Sequence, residues 1–554
     1  MEFKDMPLAS LTGVEATRSV TRFVLNIFIF TLPFFQPGLW EISALAAFIM
    51  AYRASASGKT WKGLSAAFVY CVLYILVAIF VLPFIHTYTV IAWQWAPIWV
   101  LPLAAALISL IIFLHAGRQE WTSSKQTKAH LTNWGVAVLL VGLCWFNAHN
   151  KEVVDWSMAE SLSPETMEQL PNSDMKNARV LPQVRGWDFA KIANHDRRLF
   201  VSMPHMAPCD SSGKQCWESA FHLKGLHDQP SIFYNFLGDT VFDVVTVDPT
   251  NKDNNSNRAE GFNGFFLAGP NSWVVKAAFA AHNPFSEQEE ALFWRNDDGT
   301  IIMLIPYVSY KPSVSGVMVP YLAGVMSVDR FGLINDMWPS TAAKKYPNVP
   351  FFPTHLARKY AEMYASWNGG IQGRMVTQKD ELRVSEPDVT KNPHFNQAPY
   401  VEVYEGGLGW QEVIALEPAS NDSKALASIL FFDASTGKCR EYKVPKNITL
   451  NGPRAAMANS MQGNWNAQWP LNLKVEPRPI FRNGRIYYVV AVVTTEADEH
   501  PYVHSIVIDG NDMKPYPVLN HEELVNLIDK LDKGVVVTPQ ELPLTGPVSA
   551  LHIN

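Results

Sequence analysis

The chain has 554 residues, of which 17% are charged and 48% hydrophobic, and its net charge is -6. That length implies more than one folded unit, and the acidic balance excludes a general nucleic-acid binder, which would present a basic face. Five cysteines are too few for a disulfide scaffold.

The N-terminal quarter reads as a membrane anchor. Residues 63–117 contain no Asp, Glu, Lys or Arg. A spanning helix needs about 20 apolar residues to cross about 30 Å of hydrocarbon. Residues 64–84 and 96–116 each supply one, and 133–146 is a shorter third, ending near Trp145. Upstream, 23–35 and 39–52 are parted by the turn signal Gln36-Pro37-Gly38. They form either two short spans in a hairpin or one bent span with Glu41 near its middle.

Charge placement orients these segments. Lys4, Arg18 and Arg22, then Arg53, Lys59 and Lys62, then Arg118, Lys125 and Lys128 flank the apolar runs, whereas 86–95 has no Lys or Arg. Basic short loops stay cytoplasmic. All three sets share one side when the first block crosses twice. The expected transmembrane domain is therefore residues 1–150, a polytopic α-helical anchor of about five spans with a cytoplasmic N terminus. A single crossing of the first block moves the N terminus but leaves the large C-terminal region extracytoplasmic. No small-residue cleavage site follows the first apolar run, so an uncleaved anchor is expected. Trp93, Trp95 and Trp99 fit an interfacial aromatic belt. Glu41 is the candidate intramembrane polar site; its competing reading is an interfacial residue beside Trp40, which the cost of burying charge in lipid favours.

Residues 151–182 change to acidic, Ser- and Pro-containing sequence, a juxtamembrane linker. Three α+β units are expected beyond it, at 183–345, 346–452 and 453–554. Apolar runs there are short, β-branched and bounded by turn residues. One pattern recurs. Gly299 opens a strand at 300–310, followed by 322–328, a turn starting at Asp329 and a return strand. Gly409 opens 410–416, then 427–432, a turn at Asp433 and 438–444. Gly484 opens 485–493, then 503–508, a turn at Asp509 and 513–518. Asp suits that place because its side chain accepts from the turn backbone. A helix is predicted after each copy, at 354–367, 453–461 and 520–534. The last carries Leu524, Leu527, Ile528 and Leu531 on one face, with Asn520 and Glu523 as an N-cap pair. The copies read as related subdomains or parts of a shared sheet.

The segment Ile429-Leu430-Phe431-Phe432-Asp433-Ala434-Ser435-Thr436-Gly437-Lys438 resembles the hairpin of PepSY-like domains over about a dozen residues. The resemblance implies small helix-plus-sheet modules outside the membrane, in a family associated with protein binding and peptidase regulation.

Candidate chemistry is sparse. Cys209 and Cys216 flank a polar loop and form a candidate disulfide; Cys439 is left over. Met203, His205, Met206 and Cys209 could offer soft ligands to copper, but a disulfide would remove the thiolate. Glu499, His500 and His504 lack the helical order of a zinc-protease motif, and His222, His227 and Asp228 are no stronger. No nucleophile elbow, phosphate loop or dinucleotide fingerprint occurs, and no cofactor or metal is expected. Trp410, Trp465 and Trp469, with Trp338, form either an aromatic interaction surface or core.

The leading expectation is a non-enzymatic envelope protein. Its partners would be the lipid bilayer and other membrane or envelope proteins, bound by the external α+β region or assembled around it. The alternatives are a tethered enzyme acting on an envelope polymer or peptide, using loop carboxylates, and a transporter or channel subunit using Glu41.

Overall fold

The computed structural model describes residues 85–119, 122–195, 199–209, 213–223, 241–253, 256–259, 273–296, 300–329, 334–368, 381–386, 397–420, 425–460, 472–494 and 501–538, with Pro83, Gly370 and Arg374. Two of its helices are long and apolar enough to cross a membrane. They are α1 (Ala96–Gln119) and α2 (Ser123–His149), and only 6% of the apolar window of either is buried. A core helix would be largely covered, so the exposed Leu, Ile and Val side chains of this pair suit a lipid surroundings and support association with a membrane. The two helices are pinned by Asn133, whose Nδ2 donates to the Ala105 carbonyl at 2.7 Å and to Ser109 Oγ at 2.9 Å. The chain breaks at Asn150, whose side chain caps α3 (Lys151–Ser161) by accepting from the Glu152 N–H.

Next come β1 (Glu165–Met167), α4 (Gln183–Ile192) and then twenty strands in all, which among the described residues form four sheets. The first sheet holds β2 (Leu199–Val201), β3 (His205–Pro208), β4 (Gln215–Leu223), β5 (Val241–Val247) and β6 (Asn257–Ala259), and α5 (Trp273–His282) follows it. The second holds β7 (Glu287–Gln288), β8 (Leu292–Arg295), β9 (Ile301–Pro312), β10 (Met318–Val328) and β11 (Ile334–Met337), followed by α6 (Pro339–Lys345) and α7 (Thr354–Ser366). The third holds β12 (Leu382–Val384), β13 (Tyr400–Tyr404), β14 (Gly409–Pro418), β15 (Ser428–Asp433) and β16 (Cys439–Lys443), followed by α8 (Pro453–Ser460). The fourth holds β17 (Asn472–Arg482), β18 (Arg485–Thr494), β19 (Tyr502–Asp509) and β20 (Pro515–Val518), followed by α9 (His521–Asp532).

The sheets are arranged like the blades of a four-blade propeller, and the cores show the closure. Ala220 and Val244 of blade one pack with Phe293 and Ile305 of blade two. Leu304 and Val325 of blade two pack with Ile414 and Phe432 of blade three. Val413 and Phe431 of blade three meet Tyr488 and Val490 of blade four. Ile480 and Val489 of blade four return to Met206 and Trp217 of blade one. One helix fills each seam: α5 through Phe279, α7 through Leu356, α8 through Met457 and α9 through Leu524. Each such side chain contributes about 1.5–3 kcal/mol on burial.

The expected fold class is corrected by these findings. About five spans and an α+β region of recurring hairpin-plus-helix units were the expectation; the described residues contain two candidate spans and a β-rich ring. The runs at 23–35 and 39–52, with Glu41, and 64–82 lie outside the described residues. The physical reason for the second correction is burial on both faces. Residues 486–494 of β18 are buried without alternation, because each sheet is covered by a neighbour on either side.

The ring has two further regularities. An Asp caps the turn after the third strand. Asp433 Oδ1 accepts from the N–H groups of Ser435 and Thr436, Asp509 Oδ1 from that of Asn511, and Asp248 Oδ1 from that of Thr250. Blade one therefore carries a fourth copy of the recurring unit. The first strand of a blade is also interrupted: β2 and β3 both pair with β4, β7 and β8 with β9, and β12 and β13 with β14. In blade four the strand continues but bulges between Val475 and Arg478, with Glu476 at φ +53°.

The segment between α3 and α4 laces the ring together. β1 pairs in parallel with β16 of blade three. The Ser173 N–H donates to the Phe481 carbonyl of blade four at 2.8 Å. The N–H groups of Val180 and Leu181 both donate to the Pro249 carbonyl of blade one.

Candidate functional site

The interruptions in the first strands collect charge. Arg179, on the lace, is 3% exposed, and its Nη2 donates to Glu402 Oε1 of β13 at 2.7 Å. Its guanidinium lies over the Trp217 ring of β4, 5.0 Å from the centroid. The bulge in β17 carries Glu476 and Arg478, each 1% exposed, with Arg478 Nε 3.8 Å from Glu476 Oε2. The Gln183 N–H donates to Glu476 Oε1 at 2.7 Å, and the Gln183 side chain donates to the Pro204 carbonyl between β2 and β3. Two Arg and two Glu thus join the lace and blades one, three and four with no net charge. Burial lowers the Arg478 pKa, assisted by the nearby Arg179, and it raises those of Tyr400 and Tyr404 well above the usual phenol value.

The other two interruptions face α7. Arg358 Nη1 donates to Glu386 Oε2 at 2.9 Å and to the Ala398 carbonyl at 3.0 Å. His355 Nε2 lies 3.7 Å from Glu289 Oε1, between β7 and β8. Burial pushes Glu289 up to about 7, assisted by the neighbouring charges of Glu287 and Glu290. Glu412 of β14 is fully buried, accepts from the Thr354 hydroxyl at 3.1 Å, and is pushed up to about 8 by burial.

Of the residues singled out in the sequence, Cys209 and Cys216 are joined as a disulfide closing the β3–β4 hairpin. Trp410 is 4% exposed and sits in the core shared by blades one, three and four, so it lines no surface. Trp338 is 73% exposed. Glu41, Trp465 and Trp469 lie outside the described residues. The Met and His near Cys209 disperse: Met206 enters the core, Met203 is exposed, and His205 Nε2 pairs with Glu218 Oε1 at 3.0 Å. Burial depresses the His205 pKa, but the Glu218 hydrogen bond and charge outweigh it and the net shift is upward. His504 is buried with neither ring nitrogen hydrogen-bonded among the described residues, and burial pushes it down to about 4. Among the described residues, no three His, Cys, Asp or Glu side chains are grouped to hold a metal.

No protein-family model, curated protein or solved structure matches the chain. The reading of function therefore rests on the ring and the helices docked on it.

The hub charges escaped the sequence reading because Glu402, Glu476 and Arg478 look like the solvent face of ordinary strands. The available signal was Glu476-Pro477-Arg478-Pro479, two charges and two prolines inside an apolar strand. Proline interrupts a ladder, so such a run marks a bulge.

At the seam of blades two and three there is also a cleft of about 430 Å³. Its walls include Lys311 and Tyr321 of blade two, Tyr360 of α7, and the turn Thr436-Gly437-Lys438 of blade three. Gly437 has φ +75°, and a Cβ there would collide with the Phe352 ring, so only glycine lets this turn close the cleft.

Proposed function

We propose that this protein is a membrane-tethered binding platform, in which two apolar helices hold a four-blade ring against the bilayer and the ring binds other membrane or envelope proteins. The observation that carries this reading is the docking of the helices onto blade two. Trp93 Nε1 donates to the Tyr310 carbonyl at 3.0 Å, and the Trp93 ring stacks on Phe285 at 4.9 Å. Asn147 Nδ2 donates to the Ser315 carbonyl at 2.8 Å, and the Ser157 and Ser315 hydroxyls are 2.6 Å apart. A simple tether needs only a flexible linker. Docking through both members of the pair at their shared end, just before α1 and at the end of α2, instead sets the orientation of the ring, which suits presentation of one surface to partners in the same membrane.

Two features favour an extracytoplasmic ring on a plasma or inner membrane. Arg118, Lys125 and Lys128 lie in and beside the connection between α1 and α2, and basic connections stay cytoplasmic. The disulfide suits an oxidising compartment. Proximity labelling from the ring in native membranes should recover reproducible membrane or envelope proteins. Replacing Asn147 with Leu and Trp93 with Ala should scatter the labelled set by freeing the ring. Absence of any reproducible partner would overturn the proposal.

A further inference from the structure

We infer that the cleft between blades two and three binds an amphiphilic anion, a phosphate- or carboxylate-headed molecule with an apolar body. This goes beyond partner binding by the ring and does not depend on it.

Three observations carry the inference. The first is size: about 430 Å³ falls in the range of small-molecule sites. The second is the polarity of the walls. Lys311 and Lys438 both line the cleft, and none of the described lining residues is acidic. The hydroxyl of Thr436 donates to Asp433 Oδ1, that of Tyr360 to the Pro320 carbonyl and that of Ser161 to the Met158 carbonyl, so the two ammonium groups, with the Tyr321 hydroxyl, are the donors a ligand would meet. Lys438 lies 2.5 Å from Glu165 Oε1. Both side chains are more than half exposed, so that pair is readily exchanged for a stronger anion. Lys311 stands over the Tyr321 ring, 5.6 Å from the centroid, which holds the ammonium beside an apolar surface. Leu162, Leu322 and Phe352, with the Tyr321 and Tyr360 rings, make the rest of the wall and suit a hydrocarbon or flat apolar body.

The third observation is position. Lys311 follows Tyr310, whose carbonyl is held by Trp93. The same β9–β10 hairpin ends at Gly316, packed on Cys144 of α2. The cleft thus shares the hairpin on which the helix pair docks, and, resting on the membrane-tethered reading, this places it near lipid-derived amphiphiles. A head group between the two lysines, with its chain along the aromatic wall, satisfies both kinds of lining.

The test is native mass spectrometry of the full-length protein in neutral detergent, titrated separately with lysophosphatidylglycerol, lysophosphatidylcholine and inorganic phosphate. Lysophosphatidylglycerol should bind one to one, and Lys311→Ala and Lys438→Ala should each weaken it by about fivefold, the contribution of one lysine to an anionic lipid. Lys311→Glu should weaken it further. Both lysines are exposed, so unchanged melting temperatures will show that the variants are folded. Equal binding of lysophosphatidylcholine would overturn the anion requirement. Equal binding of inorganic phosphate would overturn the apolar part, and binding unaffected by any lysine variant would overturn the site.

Discussion

Where the lace crosses blades three and four, Glu402 and Glu476 are buried to 6% and 1% exposure and each meets an arginine. On blade two, Glu287, Glu289 and Glu290 crowd at the edge of solvent, with His355 beside Glu289. The difference teaches how position decides what an acid does. Removing a carboxylate from water costs several kcal/mol, so deep in the ring it stays charged only with a cationic partner and then acts as a lock between elements, whereas buried Glu412, which has only the Thr354 hydroxyl, is pushed up to about 8. Near solvent, like charges can remain together, because protonation relieves them.

The largest effect should come from breaking the lock. Arg179→Ala leaves Glu402 buried without its partner and should cost about 3–5 kcal/mol, measured by thermal melts in detergent. The double variant Arg179→Met with Glu402→Leu should recover most of that loss. If it does not, the pair is not a lock. Glu412 comes next. Its carboxyl is held at about 8 in the fold, far above the ordinary carboxylate value. The stability linked to it is full below the unfolded pKa and is lost as pH rises through about 8. Glu412→Gln should therefore leave stability unchanged at pH 4 and raise it by roughly 2–4 kcal/mol at pH 8.

Asp433→Ala removes the acceptor for two turn N–H groups and the Thr436 hydroxyl. It should cost about 1–2 kcal/mol and speed hydrogen exchange in that turn before the rest of blade three. The smallest effect belongs to the solvent edge. Glu289 titrates near 7 in the fold, so its linked stability is full below about 4.5 and lost as pH rises through about 7. After solvent screening, Glu289→Gln should gain only about 1 kcal/mol at pH 8. A gain as large as that of Glu412→Gln would erase the distinction between the buried and solvent-edge acids.

The recurring units were readable because their signals are local. The strand predicted at 410–416 lies within β14 (Gly409–Pro418), Asp433 and Asp509 cap their turns as their chemistry requires, and the predicted N-cap Asn520 starts α9. The copy in blade one was missed because its return strand follows a longer loop, from Asp248 to Asn257, and because β2 and β3 are too short to show a period. Ring closure was not readable at all. It rests on shared cores such as the one that gathers Val489 of blade four with Trp217 of blade one, which no local periodicity records. The hub charges were hidden for the same reason, since a strand looks half exposed until its covering neighbour is known.

The lace also sets a timetable. It is synthesised directly after α1, α2 and α3, yet its partner Phe481 lies 308 residues downstream of Ser173. Blade one and the lace can meet early, but the stations on blades three and four do not exist until most of the chain has left the ribosome. The growing protein must therefore carry an open arc of three blades, with apolar seam residues uncovered, until the fourth is made. The last blade is then captured by a strand laid down before the first.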